Sequence, residues 1–168
     1  MEEIFDKCIG DVRIEENGYV VTRGTSINSG EVRGKQEYTS GKHRLRFSIE
    51  KKSSAWIFIG IISKTTPIKQ NSYKSLSFYG WASYDHYYAG GLIKRKGDIF
   101  SVYDILENDT IELLINATAQ IVQYTNERTK QTQQLTVDIT KCPLPWQILI
   151  NLNGCEDRIR LLSLTDTL

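Results

Sequence analysis

The strongest constraint on what this chain can fold into is the contrast between two neighbouring apolar runs. In residues 41–50 (GKHRLRFSIE), Leu45, Phe47 and Ile49 fall on one side, and Arg44, Arg46, Ser48 and Glu50 on the other. That period of two marks a strand with one face in a core and one in water. The run at residues 56–62 (WIFIGII) has no polar side at all, so it needs cover on both faces. Residues 108–115 and 119–127 supply a second pair of strand runs far along the chain. The two pairs read as halves of one core.

The rest of the chain carries the punctuation of an all-β protein. Val12 and Ile14, then Asn17-Gly18, then Tyr19-Val20-Val21 spell a hairpin, because Asn-Gly accepts the left-handed backbone of a tight turn. Further strands are expected at residues 76–81, 98–103, 134–139, 146–152 and 158–164. Along 146–152, Trp146, Ile148, Ile150 and Leu152 share a face. Polar loops are expected at residues 24–34, 65–75, 84–96 and 126–133. Helix is expected only as a short piece near residues 2–7 and a single turn after Pro67. Many short strands between Gly, Asn, Ser and Thr clusters point to a two-layer antiparallel β-sandwich, with Trp56 and Trp146 in its core.

Composition narrows the function classes. A chain of 168 residues, 40% of them hydrophobic, can bury roughly 70% of its unfolded surface and is expected to form one domain over residues 1–168. A net charge of +1 makes no field that would draw nucleic acid or an anionic membrane. Cys8, Cys142 and Cys155 lack metal-ligand spacing, and their odd number argues against a disulfide framework. Free thiols, no signal peptide at the Met1-Glu2-Glu3 start and no membrane-length apolar run together predict a cytoplasmic protein.

Catalytic chemistry finds no footing. His43 shares a face with Leu45 and Phe47 and reads as a strand-end histidine; His86 reads as a loop surface residue. Neither stands in a nucleophile signature. Asp98, Asp104 and Asp109 lack the alternating spacing of a calcium loop, and Asp109 reads as a turn residue whose carboxylate holds backbone N–H groups. Gly90-Gly91 ahead of Lys94-Arg95-Lys96 is not a phosphate loop. No metal, no cofactor and no enzymatic activity are expected. The sequons at Asn108 and Asn116 are read as chance. One polar stretch carries an aromatic cluster, Tyr84, Tyr87 and Tyr88. Tyrosine offers large contact area at low rotamer cost, which suits recognition.

Several of these residues fall in an order that resembles the SPRY (B30.2-like) family. The strand entry Gly41-Lys42-His43 followed by Trp56-Ile57-Phe58-Ile59-Gly60-Ile61 is similar to its Gly-x-His and Trp-x-x-Gly-hydrophobic elements, with three residues rather than two between Trp56 and Gly60. Tyr79-Gly80-Trp81 is similar to its aromatic-Gly-Trp element. Asp109 to Asn126 resembles its Gly-Asp-x-hydrophobic to Asn-Gly stretch, and Pro143-Leu144-Pro145-Trp146 its late-strand entry. The likeness runs from about Val12 to Leu164. Departures are Arg44-Leu45-Arg46 for Tyr-Trp-Glu, Asn108 for the Gly before Asp109, and Glu127 for the Gly after Asn126.

The resemblance implies a concanavalin-like jelly roll that binds a short peptide or a protein surface through loops at one edge. It places those loops at residues 32–35, 81–88 and 151–154, and implies Arg33, Trp81, Tyr84, Tyr87, Tyr88, Asn151, Leu152 and Asn153 as ligand contacts. It further implies an adaptor, or the substrate-recognition part of a ubiquitin-ligase-type protein. No RING or B-box zinc pattern is in the chain. The rival reading is a carbohydrate-binding lectin on the same scaffold, served by the loop Tyr, Trp and Asn residues.

Overall fold

The alternating runs become strands, and the run without alternation is explained by what covers it. The computed structural model describes residues 2–95 and 104–163. The strand expected at 98–103 lies outside them, as does Leu164. One sheet is ordered β1 (Phe5–Gly10), β4 (Gly30–Gly34), β13 (Trp146–Leu152), β6 (Ile57–Ser63), β7 (Tyr79–Ala82), β8 (His86–Ala89) and β9 (Leu92–Arg95). The other is ordered β12 (Gln131–Thr136), β11 (Ile121–Asn126), β10 (Thr110–Asn116), β5 (Lys42–Lys51), β14 (Arg158–Leu162), β3 (Val20–Arg23) and β2 (Val12–Glu15). Neighbouring strands are antiparallel throughout both sheets.

The distant runs do meet. Leu45 pairs with Leu113 and Phe47 with Ile111 across β5 and β10, while Ile59 pairs with Ile150 and Ile61 with Ile148 across β6 and β13. These inward side chains form one buried core between the sheets. Burial of each such side chain contributes about 1.5–3 kcal/mol. Trp146 is in that core, its indole N–H donating to the Cys142 carbonyl at 2.9 Å.

The two outer faces differ. On the β5 sheet the outer face is wet and laced with ion pairs: Arg44 with Glu112, Arg46 with Glu127, and Arg158 and Arg160 with Glu50. On the β6 sheet Phe58, Ile62 and Leu149 point outward and are nonetheless buried with Phe78, Ala82 and Tyr88. A strap of residues 64–78 lies over them, its short 3-10 turn (Ser72–Lys74) stacking Tyr73 flat on Phe58, with ring centroids 3.7 Å apart. That cover is why residues 56–62 have no polar side.

Some expectations are corrected. Residues 2–7 do not form helix: Phe5 starts β1, paired with β4. The expected loop at 24–34 ends in β4, and the expected loop at 84–96 contains the β8–β9 hairpin. These strands escape notice because GEVRG, HYYA and LIKR show no apolar alternation. Trp56 is half-buried on the outer side of the β6 sheet, where the parity of Phe58 and Ile62 carries it, not in the core between sheets. The single turn after Pro67 appears as the 3-10 turn of the strap. Left-handed backbone in the β11–β12 turn falls on Lys130, so Glu127 carries no strain there.

Asp109 is the turn residue the sequence suggests, and more. Its Oδ2 accepts the Leu106 N–H at 2.8 Å and the Asn126 amide at 2.8 Å, and its Oδ1 accepts Arg128 Nε–H at 2.6 Å. Asn108 before it takes φ +71°. Burial alone would raise the Asp109 carboxyl, but the Arg128, Leu106 and Asn126 hydrogen bonds outweigh it and hold the group below its usual range. A carboxyl depressed on folding stabilises the fold fully above its unfolded value of about 4, and that contribution fades as pH falls through the folded value. Asp109→Asn is therefore expected to flatten the acid limb of a urea-midpoint profile taken between about pH 5 and 2. An acid limb as steep as the parent's would remove Asp109 as its source.

The cysteines are free, with Cys8 and Cys155 exposed and Cys142 buried. Burial pushes the Cys142 thiol up to about 12, so little thiolate forms there near neutrality. In native protein an aromatic disulfide reagent is expected to titrate Cys8 and Cys155 quickly and Cys142 only on unfolding. Rapid native modification of Cys142, read by peptide mass, would show that this part of the core opens readily.

Candidate functional site

At one end of the strapped sheet three chain segments converge: the start of β6, the end of β13 and the β7–β8 turn. The Ser83 N–H donates to the Ile57 carbonyl at 3.0 Å, and Ser83 Oγ accepts the Ile57 N–H at 3.0 Å. The Asn153 N–H donates to the Trp56 carbonyl at 3.1 Å. These bonds fix the backbone around a partly exposed aromatic corner. The Trp56 ring lies 4.9 Å from Tyr84 and 4.9 Å from His86, both edge-on, and 5.8 Å from Phe58, stacked.

The turn that presents Tyr84 is strained. Tyr84 and Asp85 take φ +62° and +57°, a region costly for a bulky side chain. Among the described residues Tyr84 is the only aromatic with positive φ. The conformation is held from two sides. Asp104 Oδ1 accepts the Tyr84 N–H at 2.7 Å and the Ile105 N–H at 2.7 Å, and the Tyr84 hydroxyl donates to the Ser54 carbonyl. His86 Nδ1 lies 2.8 Å from the Tyr84 carbonyl, so Nδ1 carries the proton and Nε2 is left for other partners. Lys52 Nζ stands 5.9 Å from the Tyr84 ring centroid and donates to the Ser53 carbonyl at 2.9 Å.

The eight expected contact residues are only partly brought together. Tyr84 is at the corner, and Asn153 adjoins it. Tyr87 points inward and packs on the core between sheets; Tyr88 points outward and is buried under the strap. Trp81 is 3% exposed, stacked on Tyr124 at 5.2 Å, with its indole N–H donating to Gln133 Oε1 at 2.8 Å. Asn151 and Leu152 are wholly buried within β13, not in a loop.

Arg33 is likewise inside β4 and 3% exposed; it donates to the Thr66 carbonyl at 2.9 Å and the Pro67 carbonyl at 3.3 Å. It ties down the strap, helped by Glu31, whose Oε1 accepts the Ser72 N–H at 2.8 Å. Burial is the common reason for these corrections: each side chain faces cover that sequence spacing does not reveal. Trp56, Lys52 and Asp104 were missed as members of the corner. Trp56 had a usable signal, since strand parity from Phe58 and Ile62 puts it on the outer side. Among the described residues no group of three or more His, Cys, Asp or Glu is placed to hold a metal ion.

No protein-family model matches the sequence, and no curated protein matches it. Solved structures do resemble it. The SPRY domain of human HERC1 superposes with a TM-score of 0.70 at 14% identity, over 95% of this chain and 98% of that one. The PSpry domain of TRIM65 gives 0.71 at 11% identity, over 97% and 90%. Stonustoxin gives 0.71 at 11% identity, over 96% of this chain and 27% of its own. The fold is that of a SPRY domain.

Proposed function

We propose that this SPRY-like domain is a non-catalytic interaction module that takes a short peptide or a protein surface at the Trp56–Tyr84–His86 corner. The observation that carries the reading is Tyr84, a tyrosine kept in left-handed backbone by Asp104 and Ser54 and set edge-on against a partly exposed tryptophan. Strain of this kind concentrates where a side chain is aimed for use, and Trp and Tyr dominate binding hot spots. Asn153 and the His86 Nε2 atom supply polar groups beside the rings. Catalysis has no comparable support: the two histidines point ring nitrogens at the Ser40 and Tyr84 carbonyls. By its resemblance to SPRY domains, such a module would serve as an adaptor or as the recognition part of a larger, cytoplasmic assembly.

The test is a peptide selected by display on the purified domain, then calorimetry with variants whose folding has been checked. Trp56→Ala or Tyr84→Ala is expected to cost about 2 kcal/mol or more of binding, roughly a thirtyfold loss. Added salt should leave that loss intact, because apolar contacts are not screened. Arg46→Ala and Glu112→Ala, on the wet face of the other sheet, should leave affinity alone. Parent-like binding by both aromatic variants, with loss on Arg46→Ala, would move the interface to that sheet face. A glycan array on the same preparation separates a lectin from a peptide binder.

A further inference from the structure

At the opposite end of β13 from Trp56 a cleft of about 430 Å³ opens between the sheets. Tyr38, paired with Trp146 at the start of β13, forms one wall; Leu45, Leu161 and Leu162 give it an apolar side. Glu3 lines it and is 5% exposed. The donors on the Glu3 carboxylate are all neutral: the Ile4 N–H at 3.2 Å, the Gln36 N–H at 3.0 Å, the Tyr38 hydroxyl at 2.5 Å and, more weakly, the Lys35 backbone N–H.

Buried charges are ordinarily paired, yet no cation of the described residues is ion-paired with Glu3. Burial pushes its carboxyl up, and the neutral donors only partly offset that. The neighbouring charges are engaged elsewhere. Arg44 pairs with Glu112, Glu37 with Lys64, and His43 Nε2 lies 2.7 Å from the Ser40 carbonyl. Tyr19 is hydrogen-bonded to Glu2. Lys42 is exposed on the cleft's lining and makes no ion pair with Glu3.

We propose that this cleft takes an alkylammonium or alkylguanidinium group, the chemistry of a lysine or arginine side chain, with the stem on Leu45, Leu161 and Leu162 and the cation against Glu3. The pairing supplies the missing counter-charge and covers apolar surface in one step. It is independent of the aromatic corner, since it lies at the other end of the sandwich.

The experiment is an amide-resolved NMR titration of the whole chain with n-butylammonium and n-butylguanidinium, with n-butanol and butyrate as uncharged and anionic controls. The cations are expected to shift Glu3, Leu45 and Leu161 and to bind at least fivefold more tightly than butanol. Glu3→Gln should abolish that preference. Because Glu3 also anchors Gln36 and Tyr38, so that its replacement bears on folding, Lys42→Glu at the exposed lining position gives a second reading, an expected two- to fivefold gain for the cations. An acetylated Gly-Arg-Gly amide binding as tightly as the free guanidinium identifies a peptide side chain as occupant; binding of the free cations alone identifies a small amine. Equal binding of butanol, preference for butyrate, shifts confined to other residues, or a Lys42→Glu variant without gain would overturn the proposal.

Discussion

Replacing Trp146 with alanine is expected to destabilise the folded chain by about 3–5 kcal/mol, the cost of a large buried aromatic that leaves a cavity behind. The ring is fully buried where β13 begins, among residues contributed by both sheets, and its indole N–H satisfies the Cys142 carbonyl. Alanine therefore removes both packing and a hydrogen bond to a buried acceptor. Urea denaturation reads the effect directly. Trp56→Ala is expected to cost distinctly less, because Trp56 is partly exposed and loses fewer contacts. Equal losses at the two sites would show that Trp56 is as buried as Trp146, and would weaken the aromatic corner as a binding site.

Alanine at Gly80 is expected to cost about 3 kcal/mol, at the upper end of what an inserted methyl does in a packed site. Gly60 and Gly80 are direct partners across β6 and β7. A Cβ at Gly80 would stand 2.5 Å from the Ile59 carbonyl oxygen, 2.7 Å from the Gly60 Cα and 2.7 Å from the Phe78 ring. Two of those neighbours are backbone, so the strands must part, and Phe78 must rise from the face it covers. Loss should show as a lower urea midpoint with faster exchange of the strap amides. A Gly80→Ala variant as stable as the parent would mean that the glycine pair is not in close contact. This pair also gives physical content to the Trp56-to-Gly60 and Tyr79-Gly80-Trp81 stretches: their glycines meet beneath the Phe78 ring.

How much of the site could be read from residues alone follows from the same geometry. Tyr84, an aromatic in a polar stretch, stands out in the sequence, and the structure puts it at the Trp56 corner. Tyr87 and Tyr88 stand out for the same reason, yet alternation in β8 sends them to opposite buried faces. The family resemblance puts Arg33 in a loop, whereas the structure buries it within β4, an uncommon place for a charged residue. Its partners, the Thr66 and Pro67 carbonyls, lie more than thirty residues away, a distance no local pattern spans.

The sequence by itself determined the two-layer antiparallel architecture, the inward faces of β5 and β13, the Asn17-Gly18 and Asp109 turns and the burial of Trp146. Period-two alternation and turn chemistry are local properties, and one buried face is enough to set strand register. Only the tertiary structure decided what covers the outer face of β6, and therefore which polar residues are buried and which aromatics stay open. The strap brings Tyr73 onto Phe58 and carbonyls onto Arg33, while Trp56 remains at its margin. Cover of that kind comes from contacts between segments far apart in sequence, and a residue's own neighbours carry no record of it.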